Sequence, residues 1–316
     1  MPVSDIISLT IIIYNICCCF QNNLLFLHPN IQGVVSQLSI IVIMEHITSI
    51  INKEIKKKEN PIKTGFHFLD DTLGGYYPGE MTVITGCQNS GKTAFVITQL
   101  NNIAVDQHIP TLFVINNMSE RNFLSSMIAY YCSIKTGNIH SALDTDLETD
   151  SVKTYLKKLA DAPLYVEKAD WLEGEKFFES IEKTIVEKDI KIAFFDEVIH
   201  TTTEIENCYV CREKILAMKL NIPVVTTCCV LHYEFGNDML ISPDLSKYIE
   251  IHGHDIAINL INYEFYHVLR DEYDRDLHNT IGFEILKQKG NPEKKIHLLL
   301  LDRLYRRDYT CINKTI

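Results

Sequence analysis

The stretch MTVITGCQNSGKT, Met81 to Thr93, decides how the rest of the chain is read. Met81 to Thr85 are apolar or β-branched and predict a short strand, while Ala94 to Val105 carry apolar residues at helical spacing. Between them stand Gly86, Cys87, Gln88, Asn89, Ser90, Gly91, Lys92 and Thr93, the spacing Gly-x-x-x-x-Gly-Lys-Thr of a phosphate-binding loop. Glycine lets such a loop curl until successive backbone N–H groups point at one phosphate, and the helix behind it adds its positive N-terminal end. Lys92 is expected to reach the β- and γ-phosphates of ATP, and the Thr93 hydroxyl to bind Mg²⁺.

Composition bounds what surrounds this loop. With 316 residues, 46% hydrophobic and 22% charged, the chain has length for one large domain or two small ones. A net charge of −11 excludes a surface that binds nucleic acid all over, and leaves room for a basic channel or loop. The 10 cysteines form no framework of paired spacings, so a reducing cytoplasm is the expected setting. Cys208 and Cys211 make a Cys-x-x-Cys, but no second pair stands at a zinc-finger distance, and the simpler reading is two thiols on one helix.

The N-terminal part is unlike the rest. Before Met44, Asp5 is the only charged residue apart from histidine, and no Lys or Arg precedes Lys53. A signal peptide needs a basic start, and a membrane span needs about 20 apolar residues with basic flanks. The run Ile6 to Phe20 offers neither, so no membrane association is expected. Residues 1–43 read as a non-native or unstructured apolar leader, with translation starting at Met44. Residues 44–61 read as an amphipathic linker helix: Ile47, Ile50, Ile51 and Ile55 share a face, Lys53 and Lys56 to Lys58 lie largely off it, and Pro61 ends it.

Beyond the loop, strand and helix patterns alternate. Thr111 to Ile115 predicts a strand followed by a helix over Glu120 to Lys135. A further helix is expected over Ser151 to Ala160, a strand over Leu164 to Glu167 and a helix over Gly174 to Glu187. Lys191 to Phe195 is an apolar strand that ends in Asp196 and Glu197, and Asp196 is expected to hold Mg²⁺ through its hydration shell. A helix over Glu204 to Leu220, strands over Val224 to Thr227 and Ile256 to Ile261, and a hairpin of Phe283 to Lys289 and Lys295 to Leu301 complete the series. This order predicts an α/β domain over residues 62–316, with a mostly parallel central sheet flanked by helices and an antiparallel hairpin near the C-terminus.

Thr64 to Glu80 read Thr-Gly-Phe-x-x-Leu-Asp-x-x-x-Gly-Gly-x-x-Pro-Gly-Glu, directly before the loop. This ordered series resembles the RecA-like ATPase domain of the RecA/DnaB group, and the later segments favour the DnaB-type replicative helicases of superfamily 4. The resemblance covers about Ile62 to Tyr309. It implies a ring, a hexamer in this family, with nucleotide between subunits and single-stranded DNA in the channel. Loading and replication partners are not identified by it.

Several positions depart from the family. Met118-Ser119 match its Glu-Met-Ser element, but the water-polarising glutamate position holds Asn117. An amide cannot act as a base, and loss of such assistance typically costs ~10²- to 10⁴-fold in rate. Glu197, directly after Asp196, is expected to take over that role. Cys228-Cys229 replace the Ser-Gln that senses the γ-phosphate, and thiols are weak hydrogen-bond partners. Asp244-Leu245, Ile249-Glu250 and Asp255 resemble a further family segment in which Ser246 replaces arginine. Lys287-Gln288-Lys289 resembles its Lys-Gln-Arg, whose basic residues reach the neighbouring subunit's nucleotide; Lys289 keeps the charge but loses the guanidinium fork. The expected function is ATP-driven movement on single-stranded DNA. The alternative is an ATP-binding regulator, loader or oligomerisation platform with impaired hydrolysis, and a RecA- or KaiC-like ATPase ranks below both.

Overall fold

The computed structural model describes residues 60–116, 118–132, 150–169, 174–196, 212–229, 254–265, 267, 269–270, 274, 276–278 and 280–286, and the backbone of 209–211, 287, 295–300 and 310–313. All belong to the second of two units into which the chain divides, Met1–Glu59 and Asn60–Ile316.

The domain is organised by strand β1, Met81–Gly86, whose six residues are all buried. A strand covered on both faces must be apolar on both, and this one belongs to a parallel core. It pairs in parallel with β5 (Val224–Cys229) on one side and β6 (Ile256–Asn262) on the other. The remaining strands are β2 (Thr111–Ile115), β3 (Leu164–Lys168), β4 (Ile192–Phe195), β7 (Ile281–Lys287), β8 (Lys295–Leu300) and β9 (Thr310–Asn313). Among the described residues they form a nine-stranded sheet in the order β3-β2-β4-β5-β1-β6-β7-β8-β9. Pairing is parallel from β3 to β6 and antiparallel from β6 to β9, so the sheet is mixed and mostly parallel. The hairpin expected around Gly290 is β7–β8, and β9 adds a strand beyond it that the sequence pattern did not suggest.

Alternation along the strands divides the core into two layers. Ile84, Phe113, Phe194, Val225 and Ile258 face one side, packed with α1 (His67–Leu73), α2 (Lys92–Leu100), α3 (Glu120–Cys132) and α4 (Asp150–Asp161). Val83, Leu112, Val114, Phe195 and Val224 face the other, under α5 (Glu175–Glu187) and α6 (Tyr209–Leu220). Phe194 and Phe195 thus serve opposite layers, and burial of each such ring contributes about 1.5–3 kcal/mol.

Two local features differ from simple periodicity. The Thr-Gly-Phe segment folds as a turn and short helix: Leu69 and Leu73 are buried one turn apart, Asp70 accepts hydrogen bonds from the Thr64 and Gly65 N–H groups, and Gly74 ends the helix at φ 81°. The helix expected to run to Val105 is α-helical only to Leu100 and continues as a π-helical turn over Asn101–Asp106. The wider turn lets two consecutive asparagines be buried. Asn101 accepts the Tyr155 hydroxyl at 2.6 Å, and Asn102 donates to the Thr64 carbonyl at 3.1 Å. No helix among the described residues is long and apolar enough to cross a membrane.

Tyr76 and Tyr155 are buried, and desolvation pushes both phenols well above their ordinary value near 10; Tyr130 is pushed up to about 12 by the same cause. A raised folded value gives stability that is complete below about pH 10 and is lost as pH climbs past it, because only the unfolded chain releases those protons. Urea unfolding is expected to show stability falling above about pH 10.5. Tyr155→Phe is expected to cost about 1 kcal/mol at neutral pH through the lost bond to Asn101, and to make the alkaline slope shallower by up to about 1.4 kcal/mol per pH unit.

Candidate functional site

The loop Gly86 to Thr93 lies at the C-terminal end of β1, where parallel α/β sheets bind ligands. Gly86 stands at φ 156° and Gly91 at φ 93°, and Asn89, between them, is left-handed at φ 61°. A Cβ at Gly86 would lie 2.4 Å from the Ser90 hydroxyl and 2.6 Å from the Leu260 carbonyl, so only glycine fits between the loop and β6. The Ser90 N–H donates to the Cys87 carbonyl at 3.2 Å and closes the turn. Gln88 and Asn89 are exposed at the crest, Cys87 is half-buried, and Ser90 is buried.

Lys92 begins α2 and is only 5% exposed. Its ammonium donates to the Gly86 carbonyl at 3.0 Å and the Cys87 carbonyl at 2.9 Å, so the loop is wrapped around its own cation. The next residue, Thr93, places its hydroxyl 3.3 Å from each oxygen of Asp196. Strand register explains how Asp196 arrives there. Phe194 faces the α2 layer and Phe195 faces away, so Asp196, one residue further, returns to the α2 side. Phe195 pairs with Thr226, which puts Asp196 opposite Thr227.

Thr227 completes the cluster, and its hydroxyl donates to Asp196 at 2.9 Å. Asp196 is 3% exposed and Thr227 is fully buried. Sequence reasoning missed Thr227 because it looked at the strand end, Cys228-Cys229, rather than at the alternation inside β5. Cys228 points into the opposite layer with Val224, and Cys229 pairs in register with Gly86. Of the remaining expected residues, Ser119 accepts the Asn122 N–H at 3.2 Å and so caps α3, and Met118 packs on the core. Lys287 is the last residue of β7. Asn117, Glu197 and Lys289 lie outside the described residues, as does Cys208 of the Cys-x-x-Cys.

Asp255 sits at the other end of the sheet. Its carboxylate pairs with Lys214 and accepts the Met81 N–H at 2.8 Å, while its own N–H donates to the Met81 carbonyl at 3.1 Å. This ties α6, β1 and β6 together at the ends away from the loop.

The loop, helix and strand-end carboxylate together define a phosphate-loop nucleotide-binding domain with RecA-like strand order. Residues 61–299 match the family of the DnaB-like helicase C terminal domain, and the chain belongs to that family. Over 105 residues it is 32% identical to the replicative DNA helicase DnaB of Treponema pallidum (strain Nichols), covering 33% of this chain and 24% of that protein. Over 251 residues it is 21% identical to a probable replicative DNA helicase of Trieres chinensis, covering 75% of this chain and 54% of that one. The chain therefore spans between 24% and 54% of the length of these two relatives. Its fold also matches a DnaB-like replicative helicase solved in a study of its interactions with primase, with TM-score 0.64, 17% identity, and coverage of 87% of this chain and 70% of that one. A solved ATPase domain matches with TM-score 0.64 and 16% identity over 86% of this chain and 99% of its own length.

A hydrogen bond to a charged partner is worth about 1.5–3 kcal/mol. Thr227→Val, which keeps the shape and removes the donor, is expected to destabilise the fold by about that amount in urea unfolding, and Thr227→Ser to recover most of it.

Proposed function

We propose that this chain is the motor domain of a DnaB-like DNA helicase or translocase, an ATPase that couples hydrolysis to movement along single-stranded DNA as a homo-oligomeric, hexameric ring in the cytoplasm. The observation that carries this reading is the convergence of Thr93 and Asp196, 3.3 Å apart, beside a loop closed on Lys92.

A hydroxyl and a carboxylate are the oxygen donors that a hard dication takes, so the pair fits Mg²⁺. Thr93 would hold the ion directly and Asp196 through its hydration shell, and the ion bound there would supply neutralisation of phosphate charge. The loop's own residues do the rest. Gly86, Cys87, Gln88, Asn89, Ser90 and Gly91 present backbone N–H groups to the phosphates, aided by the start of α2. Lys92 turns its ammonium from its own loop's carbonyls toward the β- and γ-phosphates. Glu197 accepts the proton of the attacking water, while Asn117 can orient that water but cannot take its proton. Lys287 and Lys289 reach from one copy to the nucleotide of its neighbour and respond to the γ-phosphate. The alternative read from Asn117, an ATP-binding regulator, loader or oligomerisation platform with impaired hydrolysis, is not favoured by the match to helicase relatives.

The test is ATP turnover by the full chain with and without single-stranded DNA. Turnover is expected to rise with DNA and to fall by about 10²-fold or more in Lys92→Ala. Glu197→Gln is expected to lower kcat by about 10²- to 10⁴-fold while ATP affinity is largely kept. Tight ATP binding with turnover no higher than in Lys92→Ala would favour the regulator, and a fully active Glu197→Gln would remove Glu197 from the water-activating role.

A further inference from the structure

Asp196 is held by its backbone and by two hydroxyls, and the holds are not equal. Its N–H donates to the Val114 carbonyl of β2 at 3.0 Å, so the sheet fixes its Cα. The carboxylate plane can still turn, because the terminal torsion of an aspartate is broad and roughly two-fold. Thr227 and Thr93 set where it stops. The Thr227 hydroxyl lies 2.9 Å from Oδ1, inside the ordinary range for an O–H···O bond. The Thr93 hydroxyl lies 3.3 Å from Oδ1 and 3.3 Å from Oδ2, a long contact shared between the pair.

The two hydroxyls therefore have different parts. Thr227 is fully buried on β5, between β4 and β1 and in register with Ile84, so it cannot follow a ligand. Thr93 stands at the start of α2 and has the weaker hold, so its oxygen is the one that can turn to an ion. With Oδ1 tied to Thr227 and the Thr93 hydroxyl lying across both oxygens, the carboxylate is not presented for a direct two-oxygen grip. Hard dications differ in how much that matters. Ca²⁺ takes about six to eight oxygens and accepts a carboxylate two oxygens at a time, whereas Mg²⁺ gives up its waters reluctantly.

We infer that Thr227 is a positioning residue for the choice of metal: by tying Oδ1 it keeps Asp196 turned to the Thr93 hydroxyl, so that the carboxylate meets the nucleotide's ion through water and favours Mg²⁺ over Ca²⁺. This rests on the Mg²⁺–ATP reading above and adds to it how the site selects its ion. Without the donor the carboxylate can rotate into the two-oxygen grip that suits Ca²⁺.

The experiment measures, by calorimetry on the full chain, binding of ATP in excess EDTA, of Mg²⁺–ATP and of Ca²⁺–ATP to the wild type, Thr227→Val, Thr227→Cys and Thr227→Ser. In Thr227→Val the ratio of Mg²⁺–ATP to Ca²⁺–ATP affinity is expected to fall about tenfold, while metal-free ATP stays within about twofold. Thr227→Ser keeps the donor and is expected to hold the ratio within about twofold of the wild type. Thr227→Cys, a weaker donor, moves the ratio the same way as valine by a smaller factor, and carries the test if the valine variant does not fold. An unchanged ratio in the valine and cysteine variants, or a serine variant that shifts as far as valine, overturns the inference while the Mg²⁺–ATP reading stands. Equal weakening of all three ligands also overturns it, since Thr227 would then serve the fold alone. A wild type that binds Mg²⁺–ATP no better than metal-free ATP overturns the Mg²⁺ reading and this inference with it.

Discussion

The close approach at Gly86 is the constraint on which the architecture turns. The backbone of β1 leaves no room there for a methyl group between the Ser90 hydroxyl and the Leu260 carbonyl of β6. A strand packed so closely against its neighbour, and buried on both faces, can sit only at the centre of the sheet. The loop is then delivered at the C-terminal edge, and α2 must descend onto the layer that also receives Asp196. Because parallel register alternates faces strictly, the same geometry that buries Phe194 in one layer and Phe195 in the other returns the next carboxylate to Thr93.

Stability and chemistry occupy opposite ends of the central strands. At the end away from the loop, Lys214, Asp255 and the Met81 backbone form a partly buried ionic and hydrogen-bonded clasp. At the loop end, Lys92, Thr93, Asp196 and Thr227 form a polar cluster in which a buried charge is satisfied by groups of the chain itself. A buried carboxylate without such donors would be costly, so Thr227 belongs to the fold as much as to the site.

The sequence carried much of this. Glycine and lysine spacing located the loop, and the apolar run before Asp196 located the strand that carries it. Motif order named the fold class, because phosphate loops impose what precedes and follows them. What escaped were features that depend on partners distant in sequence. Thr227 matters through Asp196, 31 positions away, and nothing in the β5 pattern marks one inward threonine over another. The π-helical turn depends on Tyr155 and Thr64 meeting Asn101 and Asn102, and a period of 3.6 residues cannot announce its own interruption. Asn117, Glu197 and Lys289 remain readings from residue type and spacing.

That interruption in the helix behind the loop has a consequence for how the domain can vary. An added residue in a helix normally rotates everything after it by about 100°. Confined to a single wide turn, the surplus is absorbed between Asn101 and Asp106, and the part of the helix that carries Lys92 and Thr93 keeps its phase. The two ends of one helix thereby have separate anchors: the first is set by the phosphate loop and the sheet, the second by the bonds of its buried asparagines to Tyr155 and Thr64.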